Sequence, residues 1–185
     1  MKRVAAVLLI LLALGVASCG RQQSPQGSTV VLVVRHADKA SDAEDSPLSD
    51  VGSQRAQALA GVAVGANVGA IYVTQFKRNH DTARPLAERT GVAVTEVPVS
   101  LQNPGDYGQR LARDILDKHR GQTVLVVGHG NTVASIVEGL TGRAQQLGDI
   151  QYGDLLIVTI PPSGPAGLIR AQYGAGAAGG GMMMK

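Results

Sequence analysis

Three residues with versatile chemistry follow segments that have the composition of buried strands. Arg35 and His36 come directly after the β-branched run TVVLVV, and His129 comes directly after the apolar run TVLVVG. Continuous apolar runs of this length predict strands that are buried on both faces. Ligands bind beyond the carboxyl ends of such strands, so a neighbouring pair of strands would place the two histidines face to face.

Arg78 adds a second guanidinium group in an equivalent position. It comes shortly after the apolar run AIYVT, which predicts another strand. Guanidinium groups bind phosphate through paired, geometrically matched hydrogen bonds that lysine does not reproduce. With Arg35, His36 and His129, Arg78 would place cationic donors on several sides of one ligand. A tetrahedral dianion is the ligand that such a set predicts.

The segments between these residues alternate between strand and helix patterns. Apolar or β-branched runs predict strands at 29–34, 70–74, 92–97, 123–128, 154–160 and 167–173. Helical patterns are found at 47–63, in a segment that contains 81–90, at 107–120 and at 131–140. This alternation predicts an α/β fold, a three-layer α/β/α sandwich with a mostly parallel central sheet and helices on both faces.

Residues with strong preferences for helix ends set the expected boundaries. Ser49 and Asn131 are expected to be N-caps, because their short polar side chains satisfy free backbone N–H groups. Gly91 and Gly142 are expected just after the last turn of a helix. Pro85 conflicts with a continuous helix unless it lies near the first turn or a kink is tolerated.

Length and charge limit the classes of function. A chain of 185 residues suits one domain with a hydrophobic core, and with aromatic residues at only 3% that core must be aliphatic. The formal net charge is +3, but Lys2 and Arg3 lie in a segment expected to be removed. The remaining near-neutral domain lacks the basic surplus that nucleic-acid binding requires, so no nucleic-acid partner is expected.

The N-terminal segment has the features of an export signal. Two basic residues precede an apolar stretch and then small residues, and the whole of 1–18 is expected to be removed as a signal peptide. A transmembrane anchor is the alternative, although the stretch is short for a span. The sequence Val-Ala-Ser-Cys at its end resembles a bacterial lipobox, which implies that Cys19, the only cysteine, is lipidated. Gly20 would then favour the outer membrane in a cell that has one.

These features predict four parts of the chain and a location. Residues 19–28 are polar and rich in Gly, Ser and Pro, as in a tether, and residues 29–173 form the folded domain. Residues 174–185 are rich in Gly and Met without periodicity, which predicts a disordered tail. The expected location is the bacterial cell envelope, on its periplasmic or extracellular face, with the domain held at a membrane through Cys19.

Four segments resemble the motifs of the histidine phosphatase superfamily, which includes the cofactor-independent phosphoglycerate mutases. They occur in the order of that family and are VVRHADK, SPLSDVGSQRAQALA, IYVTQFKRNHDTARPLA and VLVVGHGNTV. The resemblance spans roughly residues 29 to 160. It implies a phosphoglycerate mutase-like fold and a short-branch phosphatase that needs neither a metal nor a cofactor.

The resemblance also implies roles for the four residues. His36 would attack phosphorus and form a phosphohistidine, which water would then hydrolyse. Arg35, Arg78 and His129 would bind the phosphate oxygens and stabilise their charge in the transition state. The expected substrates are phosphomonoesters or phosphohistidine, on a small molecule or a phosphoprotein. A mutase is less favoured, because the short chain leaves little room for insertions that close over a substrate.

The residue that protonates the leaving group is the main departure from the family pattern. That group is usually a Glu or Asp between the second arginine and the second histidine, and this chain has no clear acidic motif there. Asp106, in the loop sequence NPGDYG, is the favoured catalytic acid, while Glu96 and Asp38 remain alternatives. The missing motif also leaves open a non-catalytic envelope lipoprotein that binds phosphorylated ligands.

Other candidates are weaker. The GHGNTV segment lacks the third glycine of a dinucleotide-binding motif, and a zinc site made with His36 and His129 conflicts with the neighbouring arginines. Tyr152 is interpreted as packing near His129 or at the edge of the core. The acidic stretch 42–45 is expected to be a solvated loop near the mouth of the site, where its charge would repel anionic substrates.

Overall fold

The computed structural model describes residues 27–174, and all structural statements below concern that part of the chain. The predicted signal peptide, Cys19, nearly all of the tether and all but one residue of the tail lie outside the described residues. The strands are β1 (Thr29–Arg35), β2 (Val68–Val73), β3 (Val94–Glu96), β4 (Thr123–Gly128), β5 (Asp154–Ile160) and β6 (Gly167–Gln172). The α-helices are α1 (Asp50–Ala63), α2 (Lys77–Thr90), α3 (Tyr107–Lys118) and α4 (Val133–Thr141). None of the helices in this part of the chain has the length and apolar character needed to cross a membrane.

The six strands form one mixed sheet. Their order is β3-β2-β4-β1-β5-β6, and the first four run parallel, whereas β5 pairs antiparallel with both β1 and β6. β1, the first strand, therefore lies inside the sheet, between β4 and β5. The fold is the predicted α/β class, and the antiparallel edge of β5 and β6 makes the sheet mixed rather than uniformly parallel.

Helices cover both faces of this sheet and complete the predicted three layers. Alternate strand residues point to opposite faces, so β1 packs Val31 and Val33 against one pair of helices and Leu32 and Val34 against the other. Helices α3 and α4 cover the first face, and α1 and α2 cover the second. Burial on both faces explains why β1, β2 and β4 are almost continuously apolar.

Most of the predicted helix ends are confirmed. The Ser49 side chain accepts a hydrogen bond from Gly52 N at 3.0 Å and caps α1. Gly91 and Gly142 follow α2 and α4 with left-handed φ angles of 71° and 70°, which explains why glycine occupies both positions. The prediction for Asn131 is wrong by one residue, because Thr132 is the N-cap of α4.

Pro85 lies in the interior of α2, beyond the first turn where a proline is easily tolerated. A proline there removes one backbone hydrogen bond of the helix. Pro85 and its neighbour Leu86 are buried, so packing against the sheet and α1 offsets the loss. The helical pattern of residues 81–90 therefore predicted this helix correctly, although Pro85 argued against a continuous helix.

Glycines allow α3 and α4 to approach closely. A Cβ atom on Gly108 would lie 2.3 Å from the backbone of Ser135, and one on Gly139 would lie 2.8 Å from the backbone of Gly108. Any larger residue at Gly108 would push α4 away. Because α4 follows His129 after only a short turn, this contact helps to set the position of that histidine.

Candidate active site

The two histidines meet where β1 and β4 end. Arg35 pairs with Gly128 in the parallel register, so the next residue of each strand, His36 and His129, emerges at the same edge. His36 N donates a hydrogen bond to Gly128 O at 2.9 Å, which extends the pairing by one residue. The ring centroids of the two histidines are 5.2 Å apart in an edge-on arrangement. The register of the two central strands therefore builds the centre of the site.

His36 is a neutral imidazole, and one of its two ring nitrogens is hydrogen bonded to the backbone. It is only 4% exposed, and its Nδ1 lies 2.8 Å from the carbonyl oxygen of Ala37. A carbonyl oxygen only accepts, so Nδ1 carries the proton and Nε2 carries the lone pair. Burial, together with the positive charges of Arg78 and Arg35, lowers the pKa of His36 to about 4. At neutral pH Nε2 of His36 thus carries a free lone pair.

Thr82 supports the backbone that holds His36. Its hydroxyl accepts a hydrogen bond from Ala37 N at 2.9 Å and donates one to Arg78 O at 2.7 Å. This threonine belongs to the motif segment that follows Arg78, and it is fully buried. One side chain of α2 therefore links the histidine loop to the helix that carries the second arginine.

His129 is equally buried and is oriented by two threonines. Its Nε2 is hydrogen bonded to the Thr74 hydroxyl at 2.8 Å, and its backbone N donates to the Thr132 hydroxyl at 2.8 Å. Burial, together with the neighbouring His36 and Arg78, lowers the pKa of His129 to about 3. Both imidazoles are therefore neutral in the free protein, and an anion bound between them would favour their protonated forms.

Arg78 is a buried positive charge that no carboxylate of the described residues contacts directly. It is 5% exposed, its guanidinium lies 4.4 Å from the centre of the Phe76 ring, and its Nη1 donates to Glu44 O. Its Nε is buried and has no partner among the described residues. Burial lowers the pKa of Arg78, and nearby Asp45 and Tyr152 partly oppose that effect. An anionic ligand would satisfy both the charge and the free N–H group.

Arg35 is arranged in a similar way on the other side of His36. Its Nη1 donates to Ile150 O at 3.0 Å, its guanidinium lies 4.1 Å from the centre of the Tyr152 ring, and its Nε is buried without a partner among residues 27–174. The Tyr152 ring is itself 5.7 Å from the His36 ring. Tyr152 therefore belongs to the site, next to His36 and Arg35.

Sequence reasoning interpreted Tyr152 as a neighbour of His129, and the contacts of its ring are instead with His36 and Arg35. The residue reaches this position because β5 lies beside β1 in the sheet. Spacing along the chain did not predict that Tyr152 lies beside His36, because a long loop precedes β5. Only the order of the strands in the sheet shows that the two residues are neighbours.

The acidic stretch 42–45 does lie beside the site, as expected. Asp45 Oδ1 accepts a hydrogen bond from Lys77 N at 2.8 Å and so caps the start of α2. Glu44 contributes its backbone carbonyl to Arg78. These acidic residues are close enough to Arg78 to raise its pKa against the effect of burial. The loop therefore places negative charge at the entrance to a cationic centre.

Asp106 is placed differently from the other predicted site residues. It lies just before α3 with a largely exposed side chain, and its Oδ1 is 2.8 Å from Arg110 Nε. The hydrogen bond from Arg110 lowers the pKa of Asp106, which disfavours the protonated form that a general acid needs. The structure pairs Asp106 with α3 rather than with either histidine. Its assignment as the acid remains a prediction that this pairing disfavours.

The two alternative carboxylates are also paired. Glu96 Oε2 lies 2.9 Å from His80 Nε2, and both side chains are partly exposed. Asp38 Oδ2 lies 2.6 Å from Arg55 Nε and fixes the loop that follows His36. His80, which follows Arg78 by two residues, thus contacts β3 through Glu96. Each of the three carboxylates proposed from the sequence is bound to a basic partner.

A metal site is not evident in the part of the chain that the structure describes. Between residues 27 and 174, no group of three or more His, Cys, Asp or Glu side chains is arranged to hold a metal ion. The positive groups at the site are the two arginines. The expectation of a metal-independent reaction remains a prediction for experiment.

Comparison with known proteins supports the family suggested by the motifs. Residues 31–101, which include Arg35, His36 and Arg78, match the histidine phosphatase superfamily (branch 1). His129 lies beyond the matched segment. Comparison with curated proteins gives no significant match.

Solved structures with the same fold span most of the chain. The protein histidine phosphatase SixA complexed with tungstate has a TM-score of 0.62 at 21% identity, covering 77% of this chain and 96% of that one. The mycobacterial glucosyl-3-phosphoglycerate phosphatase has a TM-score of 0.61 at 18% identity, covering 71% and 90%. The putative alpha-ribazole-5'-P phosphatase from Escherichia coli K-12 has a TM-score of 0.62 at 16% identity, covering 80% and 97%.

At these identities the structural likeness establishes the fold, which is phosphoglycerate mutase-like. Residues 31–101 are therefore similar to the histidine phosphatase superfamily, and the shared fold agrees with that similarity.

Proposed function

We propose that this protein is a metal-independent phosphatase that forms a phosphohistidine on His36. Its substrates are phosphomonoesters or phosphohistidine, on a small molecule or a protein. The proposal deepens the family placement by assigning a nucleophile and a phosphate site to named residues.

One observation carries this proposal. The Ala37 carbonyl fixes the proton of His36 on Nδ1, so the lone pair of Nε2 is free within a site that also holds the buried guanidinium of Arg78 and the partly buried one of Arg35. Each of these arginines has a buried Nε without a partner among the described residues. Desolvating a guanidinium without a carboxylate is costly, and a structural role would not require two such arginines beside one histidine. A phosphate group would compensate both charges and place its phosphorus near Nε2.

The reaction follows from these positions. Nε2 of His36 forms a bond to phosphorus while the bond from phosphorus to the leaving atom breaks and its electron pair departs with that atom. Arg35, Arg78 and a protonated His129 stabilise the charge on the transferred oxygens. Water then attacks the phosphohistidine, the N–P bond breaks, and inorganic phosphate and free His36 are released.

Proteins of the same fold support this class of chemistry. SixA is described as a protein histidine phosphatase and was solved with tungstate, a tetrahedral oxyanion like phosphate. The other two structures compared above are described as phosphatases, one of them as putative. Their different substrates leave the substrate of this chain to be determined by assay.

Hydrolysis of p-nitrophenyl phosphate in the presence of EDTA tests the proposal. We expect turnover by the purified protein that survives the chelator and falls by at least about 10⁴-fold in His36→Ala, because the nucleophile is lost. His80→Ala is the matched control, since this partly exposed histidine pairs with Glu96. Acid-labile ³²P on the wild-type protein, and its absence from His36→Ala, would identify the phosphohistidine. Vanadate binding without turnover would instead favour the non-catalytic binding protein.

We further propose that the domain is anchored at the bacterial cell envelope through a lipid on Cys19. This residue lies outside the described residues, and the proposal rests on the export signal and lipobox-like sequence that precede it. Expression in a bacterial host with labelled palmitate should label the wild type and not Cys19→Ser. Equal labelling of both, or of neither, would contradict the anchor.

A further inference from the structure

The proposed reaction needs a proton for the leaving group. An alkoxide is a poor leaving group, so a positioned acid normally donates a proton as the bond to phosphorus breaks. Asp38, Glu96 and Asp106 are the carboxylates that the sequence offers, and each is bound to a basic side chain. An ion-paired carboxylate holds no proton at neutral pH. The source of the proton is therefore to be sought among the groups that contact the nucleophile.

Tyr152 has the position of such a group. Its ring lies 5.7 Å from the His36 ring and 4.1 Å from the Arg35 guanidinium, and its phenol group is near enough to influence Arg78. It is thus placed among three of the four proposed phosphate-binding residues. It is partly exposed, so a substrate entering from solvent can reach it.

A rigid support fixes the loop that carries Tyr152. Asp154 is fully buried, accepts a hydrogen bond from Gln151 N at 2.6 Å, and pairs with Arg170 Nη2 at 2.6 Å. Arg170 also donates to the backbone oxygens of Leu147 and Asp149. One arginine of β6 therefore holds the whole turn before β5. Such support suits a side chain that must be precisely oriented.

We propose that the Tyr152 hydroxyl is the proton donor to the leaving group, an inference that rests on the proposed phosphatase function. As Nε2 of His36 bonds to phosphorus and the P–O bond breaks, the Tyr152 O–H bond breaks and its proton moves to the leaving oxygen. In the second step the tyrosinate accepts a proton from the attacking water. The hydroxyl is then restored, and the products are an alcohol and inorganic phosphate.

The test compares leaving groups that differ in basicity. The substrates are benzyl, phenyl and p-nitrophenyl phosphate, which are similar in size and have leaving groups that become progressively less basic. Tyr152→Phe removes the proton donor and keeps the ring over Arg35. Tyr173→Phe is the matched control, because that tyrosine is buried away from the histidines with a hydroxyl that has no partner among the described residues.

We expect Tyr152→Phe to lose on the order of 100-fold in kcat/KM on benzyl phosphate. Its kcat/KM on p-nitrophenyl phosphate should stay within a few-fold of wild type, because p-nitrophenolate departs without a proton and kcat/KM reports only the steps before water attacks the phosphohistidine. Vanadate binding should also be retained, since the ring still packs on Arg35. Tyr173→Phe should behave like wild type on all three substrates.

Two results would overturn the assignment. An equal loss on all three substrates, or no loss, would mean that Tyr152 only orients Arg35 or lines the site. Selective loss on benzyl phosphate in Asp106→Asn, with none in Tyr152→Phe, would return the role to Asp106. These outcomes are distinct from failure of the proposed function, in which the wild type hydrolyses none of the substrates in a His36-dependent way and the inference falls with it.

Discussion

Two kinds of arginine in this molecule differ in what they contact. Arg170 pairs with the buried carboxylate of Asp154 through two nitrogen–oxygen contacts of 3.1 and 2.6 Å and donates to two backbone carbonyls. Arg35 and Arg78 each contact one carbonyl and one aromatic ring, and each keeps a buried Nε without a partner in the described part of the chain.

The difference separates scaffold from site. The Arg170 guanidinium is partly exposed and is matched by the buried carboxylate of Asp154, so this pair is electrically complete and serves to fix the chain around it. A buried guanidinium that lacks an anion raises the free energy of the folded protein until a ligand supplies one. We therefore expect an anion to bind where a guanidinium lacks an ionic partner, rather than wherever positive charge is found.

The scaffold pair should give the largest effect on stability. Asp154→Ala removes the acceptor of the hydrogen bonds from Arg170 and Gln151 N, and the free energy of unfolding should fall by about 3 kcal/mol. Urea unfolding measures the change, and Asp149→Ala, which removes an exposed carboxylate of the same loop, is the control. Similar stability in the two variants would show that the pair does not support the fold.

The site arginines should give the opposite pattern. Arg78→Lys should lower kcat/KM for p-nitrophenyl phosphate on the order of 100-fold, because a paired donor to the phosphate is lost. The free energy of unfolding without ligand should change little. Arg84→Lys, an exposed ion-paired arginine of the same helix, is the control. The rise in melting temperature that vanadate causes should survive in Arg84→Lys and disappear in Arg78→Lys, and its survival in both would remove Arg78 from the site.

The pH dependence of stability should report the buried histidines. Their folded pKa values of about 4 for His36 and 3 for His129 lie below the usual 6.5, so between pH 6.5 and 4 the unfolded chain binds more protons. Stability should therefore fall as the pH falls through this window, by on the order of 2 kcal/mol for each histidine. Urea unfolding of His36→Asn should show a smaller slope than that of wild type, whereas His80→Asn should not. Identical slopes in all three would contradict the lowered pKa of His36.

The smallest expected effect belongs to a helix end in the scaffold. Ser49→Ala removes the N-cap of α1 and should lower the free energy of unfolding by about 1 kcal/mol. Ser49→Asp, which keeps an acceptor for Gly52 N, should recover most of that loss. Activity per folded molecule should be unchanged in both variants. A loss of turnover in Ser49→Ala without loss of stability would show that this helix end belongs to the site.

Local signals in the sequence were sufficient for the strands and for the centre of the site. Continuous apolar runs identified β1 and β4, and two residues at their ends, His36 and His129, lie side by side because parallel strands end at one edge. Glycine at Gly91 and Gly142 marked helix ends correctly, since each has a positive φ. These features depend on residues that are adjacent in the chain or on the general geometry of parallel sheets.

Features that depend on distant contacts were not predictable. Asn131 and Thr132 are both suitable N-cap residues. The Asn131 side chain instead donates to the distant Leu101 O, and the Thr132 hydroxyl accepts from His129 N. Asp106 pairs with Arg110, one helical turn away. The interpretation of Asp106 from its position in a loop did not take this pairing into account. Tyr152 lies beside His36 only because β5 is next to β1 in the sheet.

The central position of β1 has a consequence for how the chain folds. β1 comes first among the described strands, yet its two partners, β4 and β5, span Thr123–Gly128 and Asp154–Ile160. During synthesis an apolar strand therefore emerges long before either of its neighbours exists. Both of its edges remain open to wrong partners in that interval. The strand that leads to His36 therefore has to be kept from pairing with other strands until β4 and β5 have been made.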